Sequence, residues 1–319
     1  MQNNGLHKKL FIFIVKLVVS AFLVLFIVKT IKITNLSQIF RAVSVSVYIY
    51  SFVVFFMSFL LLSLKWWVLV KDIKAGEALR HSFIGYYYSL IIPGQIAGDG
   101  VKAVRLDRTH SCATNPYIVL LLDKILGFLC ICIFAVVGLL ITDQQYPVYT
   151  TFLFFLFSLL FIVVLFMLLR KDVFFWFLEK IQVVVLHFFK FKIPYPQGLL
   201  LRKYPTAKSI VISFTLAIFA QFLSAYSTFL LSRYLGVSIP FIDWFIIIGI
   251  LNFVLLLPLT VAGIGLRDGT LVVIFGLYHV EPGLALTISL IGLSYQLILG
   301  FLGFLLEISR RKNVKQLNA

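Results

Sequence analysis

Charge is scarce in this chain of 319 residues. Only 13% of the side chains are Asp, Glu, Lys or Arg, 61% are hydrophobic, and the mean hydropathy is +1.06. That shortage excludes a soluble globular domain and leaves a polytopic α-helical membrane protein. Cysteine is nearly absent too. Cys112, Cys130 and Cys132 form no disulfide framework and no metal-ligand spacing, and the last two read as small apolar fillers on a helix. The five histidines are scattered over tails and loops, so no metal site is expected. Metalloprotease, nucleophile-elbow, P-loop and dinucleotide-binding signatures are all missing, and the chain reads as a non-enzyme without a cofactor.

What is present is a series of long apolar runs, such as Leu10 to Val28, Val45 to Leu64 and Phe152 to Leu169. They are too continuous for the alternating strands of a membrane β-barrel and about as long as a bilayer is thick. The net charge of +16 comes from cations clustered beside these runs, the pattern of cytoplasmic loops and not of a nucleic-acid-binding domain. His7, Lys8 and Lys9 precede the first run, which is too long for a cleaved signal and reads as a first span. Residues 142–147 lack Lys and Arg, whereas 170–208 carry eight of them, which puts the former outside and the latter in the cytoplasm. Full spans are expected near 10–28, 43–64, 116–141, 148–169, 209–232 and 283–306, with both termini inside a bacterial or archaeal cytoplasmic membrane. Residues 172–190 alternate a charged face (Asp172, Glu179, Lys180, His187, Lys190) with an aromatic one, as an interfacial amphipathic helix does.

Two apolar segments, about 81–97 and 241–279, do not fit as simple spans. Each contains one copy of the same pattern. Pro93, Ala97, Gly98, Gly100 and Lys102 recur as Pro258, Ala262, Gly263, Gly265 and Arg267, at one offset of 165 residues (93 to 258, 102 to 267). A proline followed by two glycines breaks a membrane helix, and backbone freed there has to line a protein cavity. On the topology above the copies have opposite orientation, so the expected fold is all-α: a helical bundle with two inverted, broken or re-entrant elements. It forms a single domain with repeat-like halves about 43–141 and 209–306, joined by 142–208. Residues 99–115 are too polar for lipid and form either a cavity-lining half helix or a surface helix.

Ionisable groups among apolar spans are functional candidates because they are costly to keep there. Asp123 and Lys124 stand about two turns into the third span and point about 100° apart, so each needs a partner elsewhere. Asp99, Lys102, Arg267 and Asp268 of the repeat are the candidates. Lys102, Arg105 and Arg267 could hold an anion together with backbone near Gly94, Gly98, Gly263 and Gly265, since helix N-termini favour negative charge. Salt bridges that lock the broken helices together would use the same residues.

The sequence resembles the lysylphosphatidylglycerol synthase transmembrane-region family, a flippase-like membrane module also found ahead of the synthase domain in bacterial multiple-peptide-resistance proteins. The resemblance rests on Lys65 and Trp66, the block from Ser89 to Arg105, Asp123 and Lys124 within Leu122 to Gly127, and Pro258 to Asp268. Lys65, Asp123, Lys124 and Asp268 stand where Arg, Glu, Arg and Glu are more usual. It implies movement of a lipid with a charged or glycosylated headgroup, a phospholipid or a polyprenyl-linked glycolipid, between leaflets. A lipid-modifying enzyme is a candidate partner. With no soluble domain expected after Ala319, the chain itself is not expected to make the aminoacylated lipid. The alternative is an accessory subunit or intramembrane enzyme of glycolipid or cell-envelope lipid synthesis, with Asp99 as its acid-base group.

Overall fold

The computed structural model describes residues 43–92, 95–109, 114–141, 152, 155–163, 166, 204–255, 260 and 263–317. The expected first span, the 142–147 loop, the 172–190 amphipathic helix, Pro93, Gly94 and Pro258 lie outside the described residues. The fold is all-α: α1 (Val45–Val70), α2 (Ala75–Ile91), α3 (Gln95–Thr109), α4 (Pro116–Ile141), α5 (Ala207–Tyr234), α6 (Asp243–Leu255), α7 (Leu266–Leu277) and α8 (Pro282–Leu317). Residues 155–163 are helical as well. Four helices, α1, α4, α5 and α8 up to Ser309, are long and apolar enough to cross a membrane.

The order long, short, short, long therefore occurs twice. The offset of the two sequence motifs carries each helix of the first half onto its counterpart in the second. Pro116, which opens α4, lands one residue before Pro282, which opens α8. Packing is exchanged between the halves: α2 lies against α8, and α6 lies against α4.

The two opening helices, α1 and α5, share the most extensive contact and run antiparallel. Ser58 Oγ donates to the Ala220 carbonyl at 2.7 Å, Ser227 Oγ to the Ser51 carbonyl at 2.7 Å, and Ser213 Oγ to the Lys65 carbonyl at 2.8 Å. Contacts thus step by seven residues along each helix in opposite senses. Small hydroxyl residues let the backbones approach and supply the hydrogen bonds that lipid cannot. The opposite face of α1 exposes Val45, Ile49, Val53 and Met57, a stripe of period four suited to lipid. α4 runs parallel to α5, because Leu122 and Leu126 cluster near Ile210 while Cys130 and Phe134 cluster near Ala217.

Local chemistry explains the short helices. α2 stops at Ile91, and Ile92 is extended (φ −86°, ψ 128°), the conformation imposed on a residue preceding proline, here Pro93. α1 continues to Val70, past the expected end of the span at residue 64. Lys65 can sit inside it because its charge is paired, as described below, and Trp66, Leu69 and Val70 are buried. Asn115 caps α4, its side-chain oxygen accepting the Tyr117 amide at 2.9 Å.

α3 is polar and buries one face against its neighbours. Gly98, Lys102, Ala103 and Leu106 are buried where it packs on α2 and α4. A β-carbon on Gly98 would lie 2.1 Å from the Gly85 carbonyl oxygen, whereas one on Gly100 would meet nothing within 4 Å. Gly98→Ala is therefore expected to cost about 1–3 kcal/mol by forcing two backbones apart. Gly100→Ala should be neutral or stabilising by up to about 1 kcal/mol. Thermal unfolding of the two purified variants checks this, and equal melting temperatures would contradict the close approach.

Candidate functional site

The sequence pairs Asp123 and Lys124 with the repeat residues, and the structure separates them. Lys124 reaches Asp99 as expected, and Asp99 also accepts from Lys102 at 2.7 Å across one turn of α3. Asp123 faces α1 instead. Its carboxylate lies 3.0 Å from Lys65 Nζ, which also donates to the Asp123 carbonyl at 2.8 Å. The reason is the 100° step between neighbouring helix positions, which turns one of them to α3 and the other to α1. Lys102 Nζ stands 5.2 Å from the centre of the Trp66 ring, a cation–π distance.

The second copy is built differently. Gly263 and Gly265 have φ of +75° and +82°, so both occupy the left-handed region that glycine alone enters freely. They form the turn that starts α7. Gly98 and Gly100, by contrast, lie inside α3. In the second copy the Gly265 amide donates to Asp268 at 2.8 Å. Arg267 and Asp268 do not reach across to Asp123 or Lys124. They pair with each other (3.9 Å) and with Ser289, whose hydroxyl donates to Asp268 and lies 3.2 Å from Arg267 Nε.

The repeat offset makes these two clusters comparable. It carries Lys102 onto Arg267 and Lys124 onto Ser289, while Asp268 corresponds to Ala103, one turn beyond Asp99 on the same face. Each half therefore brings a cation and a carboxylate on its second short helix against one position of its last long helix. Tyr86 on α2 lies within electrostatic reach of both Asp99 and Arg267.

Arg105, expected to hold an anion, is paired with Glu307 of α8 at 2.5 Å, and the Tyr88 hydroxyl donates to the same carboxylate at 3.4 Å. Beside this pair, Gly76, Leu79, Arg80, Phe83, Leu306 and Ser309 line a groove between α2 and α8. Glu307, Ser289 and Tyr86 were not among the residues singled out, and Lys65 entered only through the family resemblance. Glu307 carried a signal, being the one acid after Glu281 and standing just past the expected last span.

This arrangement of paired charges, two glycine-proline breaks and apolar spans has a counterpart in sequence. A family model described as the lysylphosphatidylglycerol synthase TM region matches residues 13–303. The chain belongs to that family. No curated protein matches it. Family membership and the four apolar helices make it a multi-pass membrane protein related to the handling of cell-envelope lipids. Every charge pair described above falls within the matched residues except the partner of Arg105, Glu307.

Proposed function

We propose that the chain translocates lipid headgroups between the leaflets of a cytoplasmic membrane and leaves them chemically unchanged. The observation that carries this reading is the gathering of nine ionisable groups from five helices (Lys65, Asp99, Lys102, Arg105, Asp123, Lys124, Arg267, Asp268 and Glu307) among apolar spans. Such groups are costly in a membrane and are kept where they serve a polar path. Transporters built from inverted repeats bind their substrates between the repeat copies, and each copy here supplies one cation–carboxylate cluster. Lys102 and Arg267 would contact the headgroup phosphate, Asp99 and Asp268 would hold those cations in place, and the acyl or prenyl chains would remain in lipid. The segments about 81–97 and 241–279 would supply the re-entrant elements. Both termini would face the cytoplasm, which the basic loops favour.

Reconstitution tests the reading. Vesicles containing the purified chain and a trace of fluorescent phospholipid are expected to expose inner-leaflet label to an impermeant quencher faster than protein-free vesicles, with the label recovered unaltered. Exchange no faster than in protein-free vesicles would sink the proposal. Recovery of converted lipid would favour an intramembrane enzyme.

A further inference from the structure

The pairing pattern of the site has an unequal charge balance. Of the site's nine charged groups, five cations are paired with four carboxylates: Lys65 with Asp123, Arg105 with Glu307, Arg267 with Asp268, and both Lys102 and Lys124 with Asp99. One positive charge is left over. It falls on the Asp99 group, which is also the more open part of the network, for the Lys124 side chain is 37% exposed and that of Lys65 only 3%.

Hydrogen-bonding capacity is unequal in the same direction. Asp99 already faces two lysines, Asp268 accepts from Ser289 and the Gly265 amide, and Glu307 accepts from Arg105 and Tyr88. Arg267, only 5% exposed, has its Nη2 buried with no hydrogen-bond partner among the described residues. An anion can therefore bind without breaking an existing pair. A cationic headgroup would have to displace a buried lysine or arginine from its carboxylate, which leaves a charge unpaired at a cost of several kcal/mol.

We propose that the site selects lipids whose headgroup carries one net negative charge, a phosphodiester with no balancing amine, over zwitterionic and cationic lipids. This rests on the translocase reading for the location of the site and adds the class of substrate. The repeat comparison locates the selectivity: Lys124 supplies the extra charge in one half, where Ser289 stands in the other.

The test is lipid binding to the full chain in detergent, followed by native mass spectrometry, with phosphatidylglycerol, phosphatidylethanolamine and lysyl-phosphatidylglycerol of identical acyl chains. The unaltered chain is expected to bind phosphatidylglycerol at least about ten-fold tighter than either of the others, since like charges brought together in a desolvated site are strongly disfavoured. Lys102→Met brings cations and carboxylates to equal number, leaves Asp99 its Lys124, and keeps an unbranched apolar stem beside Gly85. This variant is expected to lose most of the preference.

Equal or tighter binding of the amine lipids by the unaltered chain would overturn the proposal, and that comparison needs no variant to fold. A folded Lys102→Met chain with undiminished preference would overturn it as well. Inorganic phosphate that displaces the lipid at equal concentration would mark a free-anion site and refute the lipid assignment. The preference found together with no leaflet exchange would support the selectivity and refute translocation. Exchange without the preference would do the reverse.

Discussion

Arg267→Gln protein is expected to fold and to exchange lipid headgroups about 100-fold more slowly than the unaltered chain. Folding should survive because Asp268 keeps the Ser289 hydroxyl and the Gly265 amide when the guanidinium is removed. Glutamine also brings no charge into the interior. Transport should not survive, because the guanidinium has a buried donor with no hydrogen-bond partner among the described residues, which a headgroup phosphate would fill. Losing one charged partner of a buried contact costs about 3 kcal/mol, within the range found at interfaces, and that equals about two decades in rate. Arg267→Lys should fall between the two, since it keeps the charge and loses the fork. The checks are the melting temperature of the purified variants and leaflet exchange in vesicles. Wild-type exchange by Arg267→Gln would remove the arginine from the path.

The opposite behaviour is expected at Asp123. Asp123→Asn leaves the ammonium of Lys65, itself buried, with neutral acceptors and no carboxylate among the described residues. Breaking a buried pair from one side costs about 3–5 kcal/mol, so the variant should show a clear drop in melting temperature and poor accumulation in membranes. Removing both charges should restore much of the loss, because a neutral pair leaves nothing unpaired. The double variant Lys65→Met with Asp123→Leu tests that through its coupling energy. A single variant as stable as the unaltered chain, or a double variant no better than the single, would show that the pair does not lock α1 to α4.

The contrast between these two residues shows where the sequence was readable. Broken helices could be read because proline and glycine act locally: Pro93 dictates an extended Ile92 whatever surrounds it, and the shared offset of the motifs exposed the duplication before any helix was placed. The Asp99–Lys124 pair could be read because both groups were improbable among apolar runs. Lys65 was misplaced for the opposite reason. A hydropathy run ends at the first cation, whereas the helix does not end until the charge fails to find a partner, and α1 goes on to Val70. Ser289 and Tyr86 gave no signal at all, since a serine or tyrosine in a membrane helix costs little and acquires meaning only from what faces it. The glycines serve differently in the two copies. In α3, Gly98 serves the contact with Gly85, and only in the second copy do the glycines shape a turn.

The seven-residue stepping of Ser51, Ser58 and Lys65 against Ser227, Ala220 and Ser213 has a mechanical consequence. A repeat of 3.5 residues per turn is shorter than the 3.6 of a straight helix, so helices that keep such a seam coil gently around each other in a left-handed sense. From Ser51 to Lys65 the seam extends for about 21 Å at 1.5 Å per residue, some two-thirds of the hydrocarbon thickness. α1 and α5 thus form a twisted two-stranded column common to both halves. The hydroxyl contacts along it are to main-chain carbonyls at fixed heights, so neither helix can slide along the other by less than a full heptad without breaking all three at once. The column therefore opposes sliding of one half along the other, and the cross-packing of α2 on α8 and of α6 on α4 ties the halves together on its flanks.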